Sequence, residues 1–366
     1  MSQAQWPEWL PLRPSLAPLS PYGAPQVEAD ASLNTNENPF PLSPALVAAI
    51  SAKVSEVATS LNRYPDRDAV ALRGALARYI NKQSATDFDQ GNIWAANGSN
   101  EIIQSLFLAF GGGSALGFTP SYSMHPLIAR VTSTPWIDGK RRDDFSLDIE
   151  SAIEQVLRER PSLTFITTPN NPTGEAISIS AIEKLAAATP GLLVIDEAYA
   201  EFSDIKSAVT LIKHFPHLVV IRTMSKAFSF AGARVGYLVG HPSVIDAIKL
   251  VRLPYHLSSL TQSAALVALD FHDELLSGVA ELRQQRDFVA NALREMGLEV
   301  LPSQANFLLF TGFSSQSADL WQAMLDRGIL IRDVGLSGYL RTTIGTGAEN
   351  EKFLHALREC LAKERS

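Results

Sequence analysis

The chain has 366 residues, of which 46% are hydrophobic and 19% charged, and its formal net charge is −7. This composition is typical of a globular protein of one large domain or two domains. The cationic residues are dispersed, and the one short cluster, at 140–142, is predicted to be a solvated turn. Because nucleic-acid binding needs a basic patch, we expect no nucleic-acid partner.

Cysteine content and hydropathy indicate the cellular compartment in which we expect the protein. The single cysteine, Cys360, excludes an internal disulfide or a multi-cysteine metal site, suits a reducing compartment, and is predicted to be a partly buried helix residue. No apolar run approaches the roughly 18 residues of a membrane helix, and the N-terminus lacks the basic and apolar segments of a signal peptide. We therefore predict a cytoplasmic protein with no membrane partner and no metal.

The order of predicted elements indicates an α/β fold. Residues 1–35 are rich in proline and lack periodicity, so we predict an extended arm with room for one short helix. Short apolar runs then alternate with helix-length segments, a pattern typical of a mainly parallel sheet. Strands are predicted at 93–96, 114–118, 163–167, 192–195, 218–221 and 235–239. Helices are predicted at 44–58, 68–80, 101–110, 147–158 and 180–188.

The last hundred residues read differently. An almost continuous helical pattern covers 263–296, and short apolar runs and helices follow it. The short apolar runs predict strands at 306–310, 329–332 and 339–344, and helices are predicted at 316–327 and 348–363. The predicted domain organisation is an arm at 1–35, a large domain at 36–260 and a small α+β domain at 261–366.

Polar side chains of interest follow the apolar runs, where open α/β sheets bind ligands. Lys226 comes after the run 218–221, and the apolar segment behind it is a poor setting for a surface lysine. Asp196 ends the run 191–196 and would be an ordinary strand-end residue if it stood alone. A lysine that can bind an aldehyde and an aspartate that can hold a ring nitrogen together predict pyridoxal 5′-phosphate (PLP).

Other loops offer groups for the same cofactor. Ser99 and Asn100 stand where a helix begins, and they suit either a phosphate or simple helix capping. Tyr122 is placed to lie against a planar ring, or to pack as a loop residue. Asn171, in the stiff turn after strand 163–167, can donate a hydrogen bond to a phenolate oxygen such as O3′ of PLP.

Further polar residues extend this set. Tyr199 can share the O3′ contact, and Ser225 with Arg234 can complete a phosphate site, since arginine suits phosphate geometry. Arg332 and Arg341 lie on or beside apolar strands of the small domain. A buried arginine needs an anionic partner, which is either a substrate carboxylate or phosphate or a structural salt bridge.

Eight motifs in this order make the sequence resemble the fold-type I PLP-dependent aminotransferases, and within them the actinobacterial histidinol-phosphate aminotransferase family. The resemblance covers about residues 20–355. The motifs are Asn-Thr-Asn-Glu-Asn-Pro at 34–39, Asn-Arg-Tyr-Pro-Asp at 62–66, Asn-Gly-Ser-Asn-Glu at 97–101, Pro-Ser-Tyr-Ser-Met at 120–124, Pro-Asn-Asn-Pro-Thr-Gly at 169–174, the segment 196–202, Ser-Lys-Ala-Phe at 225–228 with Arg234, and the segment 340–345.

The resemblance implies a large domain with a mainly parallel seven-stranded sheet, a smaller α+β C-terminal domain and an N-terminal arm. It also implies a homodimer in which Tyr64 reaches the phosphate of the neighbouring subunit's cofactor. The implied cofactor contacts are Lys226 as the PLP lysine, Asp196 at the pyridinium nitrogen, Asn171 and Tyr199 at O3′, Tyr122 on the ring, and Ser99, Asn100, Ser225 and Arg234 at the phosphate. The implied substrate contacts are Arg341, Arg332, Asn36 and Tyr22.

The expected activity is transamination of histidinol phosphate with 2-oxoglutarate, giving imidazole-acetol phosphate and glutamate in histidine biosynthesis. Three alternatives remain at this point. An aromatic amino-acid aminotransferase would share the fold and the cofactor, and a PLP-dependent decarboxylase of a phosphorylated amino acid would release carbon dioxide. A PLP-sensing regulatory domain would need a DNA-binding module, for which the arm at 1–35 is too short.

Overall fold

The computed structural model describes residues 6–21 and 23–364. Within the described part of the arm there is no helix, and the only strand before residue 44 is β1 (Ala31–Ser32). Arg13 ties the arm to the body of the protein, because its Nη2 donates a 2.6 Å hydrogen bond to the Val131 carbonyl. Tyr22, a predicted substrate contact, lies outside the described residues.

A seven-stranded sheet forms the centre of the larger part of the chain. Its strands are β2 (Ile93–Ala96), β3 (Ala115–Thr119), β4 (Trp136–Lys140), β5 (Leu163–Thr167), β6 (Leu192–Asp196), β7 (Leu218–Thr223) and β8 (Gly236–Val239). They are arranged in the order β2-β8-β7-β6-β5-β3-β4. Every neighbouring pair is parallel except the two pairs that include β8. The predicted mainly parallel sheet is confirmed.

Helices flank the strands, and for this reason the inner strands β5, β6 and β7 are buried along their whole length. The helices before residue 250 are α1 (Pro44–Ala58), α2 (Val70–Ser84), α3 (Ser99–Phe110), α4 (Met124–Val131), α5 (Ile149–Glu159), α6 (Ile179–Ala188) and α7 (Pro242–Lys249). Side-chain caps begin several of them; the Ser43 hydroxyl, for example, accepts from the Leu46 N–H while Pro44 occupies the first helical position.

The prediction of a solvated turn at 140–142, at the edge of the sheet, is wrong. Residues 140–142 are not a solvated turn, because Lys140 ends β4 and the Arg141 side chain is buried in an ion pair with Glu175. Strand β4 escapes sequence reasoning because it is a half-exposed edge strand that contains Asp138 and Gly139, so it lacks the apolar run that marks the inner strands.

The C-terminal part is built around a second sheet. It contains α8 (Ser259–Asp270), α9 (His272–Glu295), β9 (Glu299–Val300), β10 (Phe307–Thr311), α10 (Ser317–Leu325), β11 (Ile329–Leu330), β12 (Leu340–Thr343) and α11 (Gly347–Glu364). Strands β12, β10 and β9 form an antiparallel sheet, whereas β11 pairs in parallel with β1 of the arm. The arm is therefore joined to the C-terminal part by main-chain hydrogen bonds.

The continuous helical pattern predicted at 263–296 is interrupted in the structure. Phe271 leaves helical geometry and separates α8 from α9. The break lets α8 pack on α1 and α2 while α9 packs on α11 and β9. Cys360 is fully buried on α11, more than predicted, with its Sγ 3.8 Å from the Met324 sulfur. Among the described residues, no helix combines the length and apolar character needed to cross a membrane.

Candidate active site

A pocket of about 450 Å³ lies where the carboxyl ends of the parallel strands meet the C-terminal part. Parallel strands place the residues that follow them at one edge of the sheet, so side chains distant in sequence converge there. The predicted site residues that line the pocket are Asn36, Ser99, Asn100, Tyr122, Asn171, Asp196, Tyr199, Ser225, Lys226, Arg234, Arg332 and Arg341.

Lys226 lies in this pocket with an unusually acidic ammonium group. Its pKa is lowered from 10.5 to about 8, first because burial disfavours the charged form and then because the Arg341 and Arg234 guanidiniums repel it, while Glu37 acts in the opposite direction. Its Nζ donates a 2.8 Å hydrogen bond to the Thr35 carbonyl. A lysine with this lowered pKa has a larger neutral fraction near neutral pH than an ordinary lysine, which favours nucleophilic and proton-transfer roles.

Asp196 lines the same pocket and is almost completely buried. The residue is 2% exposed, and its Oδ2 lies 3.1 Å from Nε2 of His125. Its Oδ1 is buried and has no hydrogen-bond partner among the described residues. Because a buried acceptor without a donor is costly, this oxygen calls for a donor from a ligand, and a protonated ring nitrogen would supply one.

His125 is a neighbour of Asp196 that the sequence did not predict. It lies on α4 and is buried between the rings of Tyr122 and Phe165, at centroid distances of 5.4 and 4.7 Å. The packing fixes the imidazole against Asp196, and the contact holds one oxygen of that carboxylate in place. The only available sequence signal was a histidine three residues after Tyr122, which by itself predicts nothing about Asp196.

The end of the pocket at α3 has the form of an anion cradle. The first N–H groups of α3 are those of Ser99 and Asn100, and helix N-termini favour phosphate. Gly98, at φ +85°, lets Arg234 approach, because a Cβ there would lie 2.6 Å from Nη2 of Arg234. Arg234 also donates to the Ser225 hydroxyl at 3.4 Å.

Two tyrosines and two amides line the middle of the pocket. The Tyr122 hydroxyl donates to Oδ1 of Asn100 at 3.1 Å, which places its ring beside the anion cradle. The Tyr199 oxygen accepts from Nδ2 of Asn36 at 2.9 Å and from Nδ2 of Asn171 at 3.4 Å. The second amide is oriented by Arg341, whose Nη1 donates to Oδ1 of Asn171 at 2.6 Å.

The arginines come from the small sheet. Arg341 on β12 is buried, its Nη2 donates to the Asn34 carbonyl at 2.7 Å, and its guanidinium lies 5.2 Å from the Phe307 ring centroid. Arg332 is paired with Arg341 through two main-chain hydrogen bonds of 2.9 Å. The pocket therefore has two guanidiniums on the side opposite the large sheet.

Tyr64 is the predicted site residue that a single chain does not bring to the pocket. Its side chain is 79% exposed and stacks on Tyr255, with ring centroids 4.4 Å apart. It is absent from the pocket lining, so its predicted contact with a neighbouring subunit's cofactor stays a prediction.

The donor set fits PLP. The unsatisfied Asp196 oxygen suits the ring nitrogen, Lys226 suits the aldehyde, and the cradle at Gly98 and Arg234 suits the phosphate. The residues that the structure describes contain no group of three or more histidine, cysteine, aspartate or glutamate side chains arranged to hold a metal ion.

Comparison with known proteins defines the class. The family model described as aminotransferase class I and II matches residues 30–357, and the chain belongs to this family. The chain is 54% identical to histidinol-phosphate aminotransferase of Corynebacterium glutamicum strain R, over 96% of its own length and 97% of that protein. It is also 54% identical to the enzyme of the same name from Nocardia farcinica, over 97% and 93% of the two chains. The resemblance predicted from the motifs is thus confirmed.

A solved structure supports the fold. The crystal structure of histidinol-phosphate aminotransferase from Sinorhizobium meliloti in complex with pyridoxal-5′-phosphate superposes with a TM-score of 0.84, covering 99% of this chain and all of that one. The two sequences are only 24% identical. This agreement confirms the fold-type I architecture predicted from the sequence.

Proposed function

We propose that this aminotransferase binds PLP and transfers the amino group of histidinol phosphate to 2-oxoglutarate, giving imidazole-acetol phosphate and glutamate. The reaction belongs to histidine biosynthesis, and we place the enzyme in the cytoplasm. The substrate is drawn from the names of relatives that are 54% identical over almost the whole chain. The acceptor 2-oxoglutarate is part of the proposal.

One observation carries the chemistry. The same pocket is lined by Lys226, whose pKa is about 8, and by Asp196, whose buried Oδ1 has no donor among the described residues. When bound, PLP supplies the electron sink that amino-group transfer needs. With PLP bound, the Asp196 carboxylate would favour a proton on the ring nitrogen, and His125 contacts its Oδ2 at 3.1 Å. Lys226 Nζ moves the proton at the substrate carbon, because its lowered pKa leaves the amine partly neutral near neutral pH.

The remaining residues of the pocket are proposed to hold and orient the cofactor. Tyr122 would pack against the ring of PLP, Asn171 and Tyr199 would hold its phenolic oxygen, and the cradle formed by α3 and Arg234 would hold its phosphate. The residues proposed for the phosphate are Ser99, Asn100, Ser225 and Arg234, with Tyr64 of a second subunit.

Arg341 and Arg332 give the pocket a site for two different anions. The transamination partners carry a carboxylate in one case and a phosphate in the other, so one site must accept both in turn. Guanidinium groups bind both oxyanions through paired N–H donors. Arg341 is buried and lines the pocket, where its guanidinium donates to the oxygens of Asn34 and Asn171.

An exposed apolar patch supports the proposed homodimer. Tyr64 and Tyr255 stack on each other, and Leu250 and Leu253 are 85% and 75% exposed in the same part of the surface. Arg252, between them, donates to the Arg67 carbonyl at 2.9 Å and thereby joins the two segments. Large exposed patches of this kind mark protein interfaces. We also propose the domain division 1–35, 36–260 and 261–366, with the pocket between the last two.

Steady-state kinetics with competing donors test the substrate. With 2-oxoglutarate as acceptor, we expect kcat/KM for histidinol phosphate to exceed that for phenylalanine by at least about 10²-fold, the range that buried charged contacts provide. Glutamate formation is the measurement. A higher kcat/KM for phenylalanine would make the protein an aromatic amino-acid aminotransferase. Histidinol phosphate has no carboxyl group, so the decarboxylase alternative is tested with a phosphorylated amino acid such as O-phosphothreonine: stoichiometric release of carbon dioxide from it, without glutamate, would make the protein a decarboxylase.

A further inference from the structure

Residues 34–38, which we call the strap, run between β1 and α1, and four of them line the pocket. Two consecutive carbonyls of the strap accept hydrogen bonds from two of the cationic side chains that line the pocket. The Asn34 carbonyl accepts from Arg341 Nη2 at 2.7 Å, and the Thr35 carbonyl accepts from Lys226 Nζ at 2.8 Å. The conformation of the strap therefore affects both groups directly.

Asn36 sets that conformation. It has φ +55°, a left-handed conformation that asparagine tolerates better than most residues. It is 1% exposed, and its own carbonyl accepts from Nδ2 of Asn306 at 3.2 Å. Its backbone N–H donates to Thr343 Oγ1 at 2.9 Å, and that hydroxyl donates back to Oδ1 of Asn36 at 3.1 Å.

This reciprocal pair orients the amide. Because Oδ1 of Asn36 accepts from Thr343, Nδ2 is the atom that faces Tyr199, at 2.9 Å. Asn171 reaches the same phenolic oxygen with its Nδ2 at 3.4 Å, and Arg341 fixes the direction of that amide by donating to its oxygen. A phenolic oxygen that accepts two N–H groups must use its own proton as a donor.

We propose that Asn36 is a positioning residue for the aminotransferase reaction and acts through Tyr199. Its amide makes the Tyr199 phenol a hydrogen-bond donor in the pocket, and its left-handed backbone sets the strap carbonyls on Arg341 and Lys226. This role differs from the substrate contact that the sequence predicts for Asn36, and it rests on the proposed function.

A double-mutant cycle tests the assignment. Asn36→Gly removes the amide but keeps access to the left-handed backbone, Tyr199→Phe removes the phenol, and the third variant carries both changes. Asn36→Gly is expected to lower kcat by about tenfold, in line with the loss of rate when a positioned group shifts. Because the amide acts through the phenol, the double variant should match Tyr199→Phe alone.

A spectroscopic readout separates positioning from folding. Loss of a donor to the phenolic oxygen of bound PLP makes its negative charge less stable, so the pKa of the visible chromophore should rise in Tyr199→Phe and, by less, in Asn36→Gly. It is measured by titrating the absorption spectrum without substrate. The charged side chains that line the pocket besides Lys226 are Glu37, Asp196, Arg234, Arg332, Asp333 and Arg341, and all are retained in these variants.

Two further variants complete the design. Ala85→Gly, at an exposed left-handed residue with φ +52° outside the pocket lining, controls for relief of backbone strain and should leave the chromophore pKa and kcat unchanged. If Asn36→Gly does not fold, Asn36→Asp keeps the shape and the Thr343 pair, but its carboxylate draws the Tyr199 proton to itself. We expect a lower kcat and a raised chromophore pKa there too.

The outcomes are distinct. Multiplicative losses of kcat in the Asn36→Gly and Tyr199→Phe pair, or an unchanged chromophore pKa in both Asn36→Gly and Asn36→Asp, overturn the assignment alone. A wild-type protein that develops no visible band with added PLP overturns the proposed function, and the assignment falls with it.

Discussion

The two walls of the pocket are built in opposite ways. One wall, the sheet wall, consists of Tyr122, Asn171, Asp196 and Lys226, which follow successive parallel strands of the large sheet. The other, the strap wall, consists of the strap with Arg332 and Arg341 of the C-terminal part. Sheet geometry alone brings the first set together, whereas hydrogen bonds between distant segments assemble the second.

The walls also differ in the contacts that their polar groups make. In the strap wall, Asn36 and Thr343 bond to each other, and Arg341 is held by two oxygens. In the sheet wall, Oδ1 of Asp196 has no donor among the residues that the structure describes. We infer that the sheet wall is prepared for a bound ligand that donates a hydrogen bond to this oxygen.

The largest effect should come from the centre of the sheet wall. Lys226→Ala removes the group that binds the aldehyde and moves the proton, so we expect kcat to fall by at least about 10⁴-fold. Transamination rate is measured beside the melting temperature. Lys184→Ala, which removes only an exposed pair with Glu150, is the control and should keep full activity. Substantial activity in Lys226→Ala would remove this residue from the mechanism.

Asp196→Asn should be the next most severe change. It removes the negative charge beside the ring nitrogen while keeping the shape, and we expect a loss of roughly 10³-fold in kcat together with weaker PLP binding. Fluorescence titration of the apoprotein measures the affinity. Asp144→Asn, at an exposed loop position, serves as the matched control. An unchanged kcat would mean that Oδ1 does not face the cofactor.

Arg341→Ala tests the strap wall. Loss of one buried guanidinium should lower kcat/KM by about 10²-fold for both the phosphate and the carboxylate substrate, since hydrogen bonds to charged groups are worth roughly 1.5–3 kcal/mol each. Single-turnover rates with each amino donor are the measurement. Arg283→Ala, at an exposed ion pair with Asp204, is the control. If both rates survive, Arg341 does not bind the anions.

The smallest expected effect is a shift in the pKa of Lys226, in the sheet wall, when Arg341 of the strap wall is removed. Burial and Arg341 lower the Lys226 pKa to about 8, so the neutral amine is formed as pH rises through 8 rather than through 10.5. The rate at which apoprotein captures PLP should therefore rise with pH and level off above about pH 8. In Arg341→Ala the midpoint should move to higher pH, because a repelling charge is lost. A wild-type midpoint near 10.5 would contradict this pKa.

The same comparison explains what the sequence could predict. Lys226 and Asp196 were predictable because Asp196 ends one buried apolar strand and Lys226 comes three residues after another, and parallel strands bring such residues to one edge of the sheet. The contacts of Asn36 could not be predicted from the sequence, because they join it to Tyr199 and Thr343, which are 163 and 307 residues away along the chain. His125 was missed for the same reason, with 71 residues separating it from Asp196.

Strand β4 and the helix boundary at Phe271 were not predicted, because the local sequence pattern is weak at both places. Strand β4 has an edge strand's mixed composition, and the boundary at Phe271 depends on which helices α8 and α9 pack against. The roles of Tyr64 and Tyr22 and the domain division stay predictions: Tyr64 would act in a second subunit, and Tyr22 lies outside the described residues.

The central claim is that the two walls form one pocket for PLP and histidinol phosphate. The most direct test is the visible absorption spectrum of the PLP-loaded protein, recorded before and after addition of histidinol phosphate alone and, separately, of phenylalanine. The account predicts a visible band that histidinol phosphate bleaches rapidly without any second substrate, while phenylalanine bleaches it slowly. A band that persists with histidinol phosphate but bleaches with phenylalanine would contradict the proposed substrate, and the absence of any band would contradict the cofactor site.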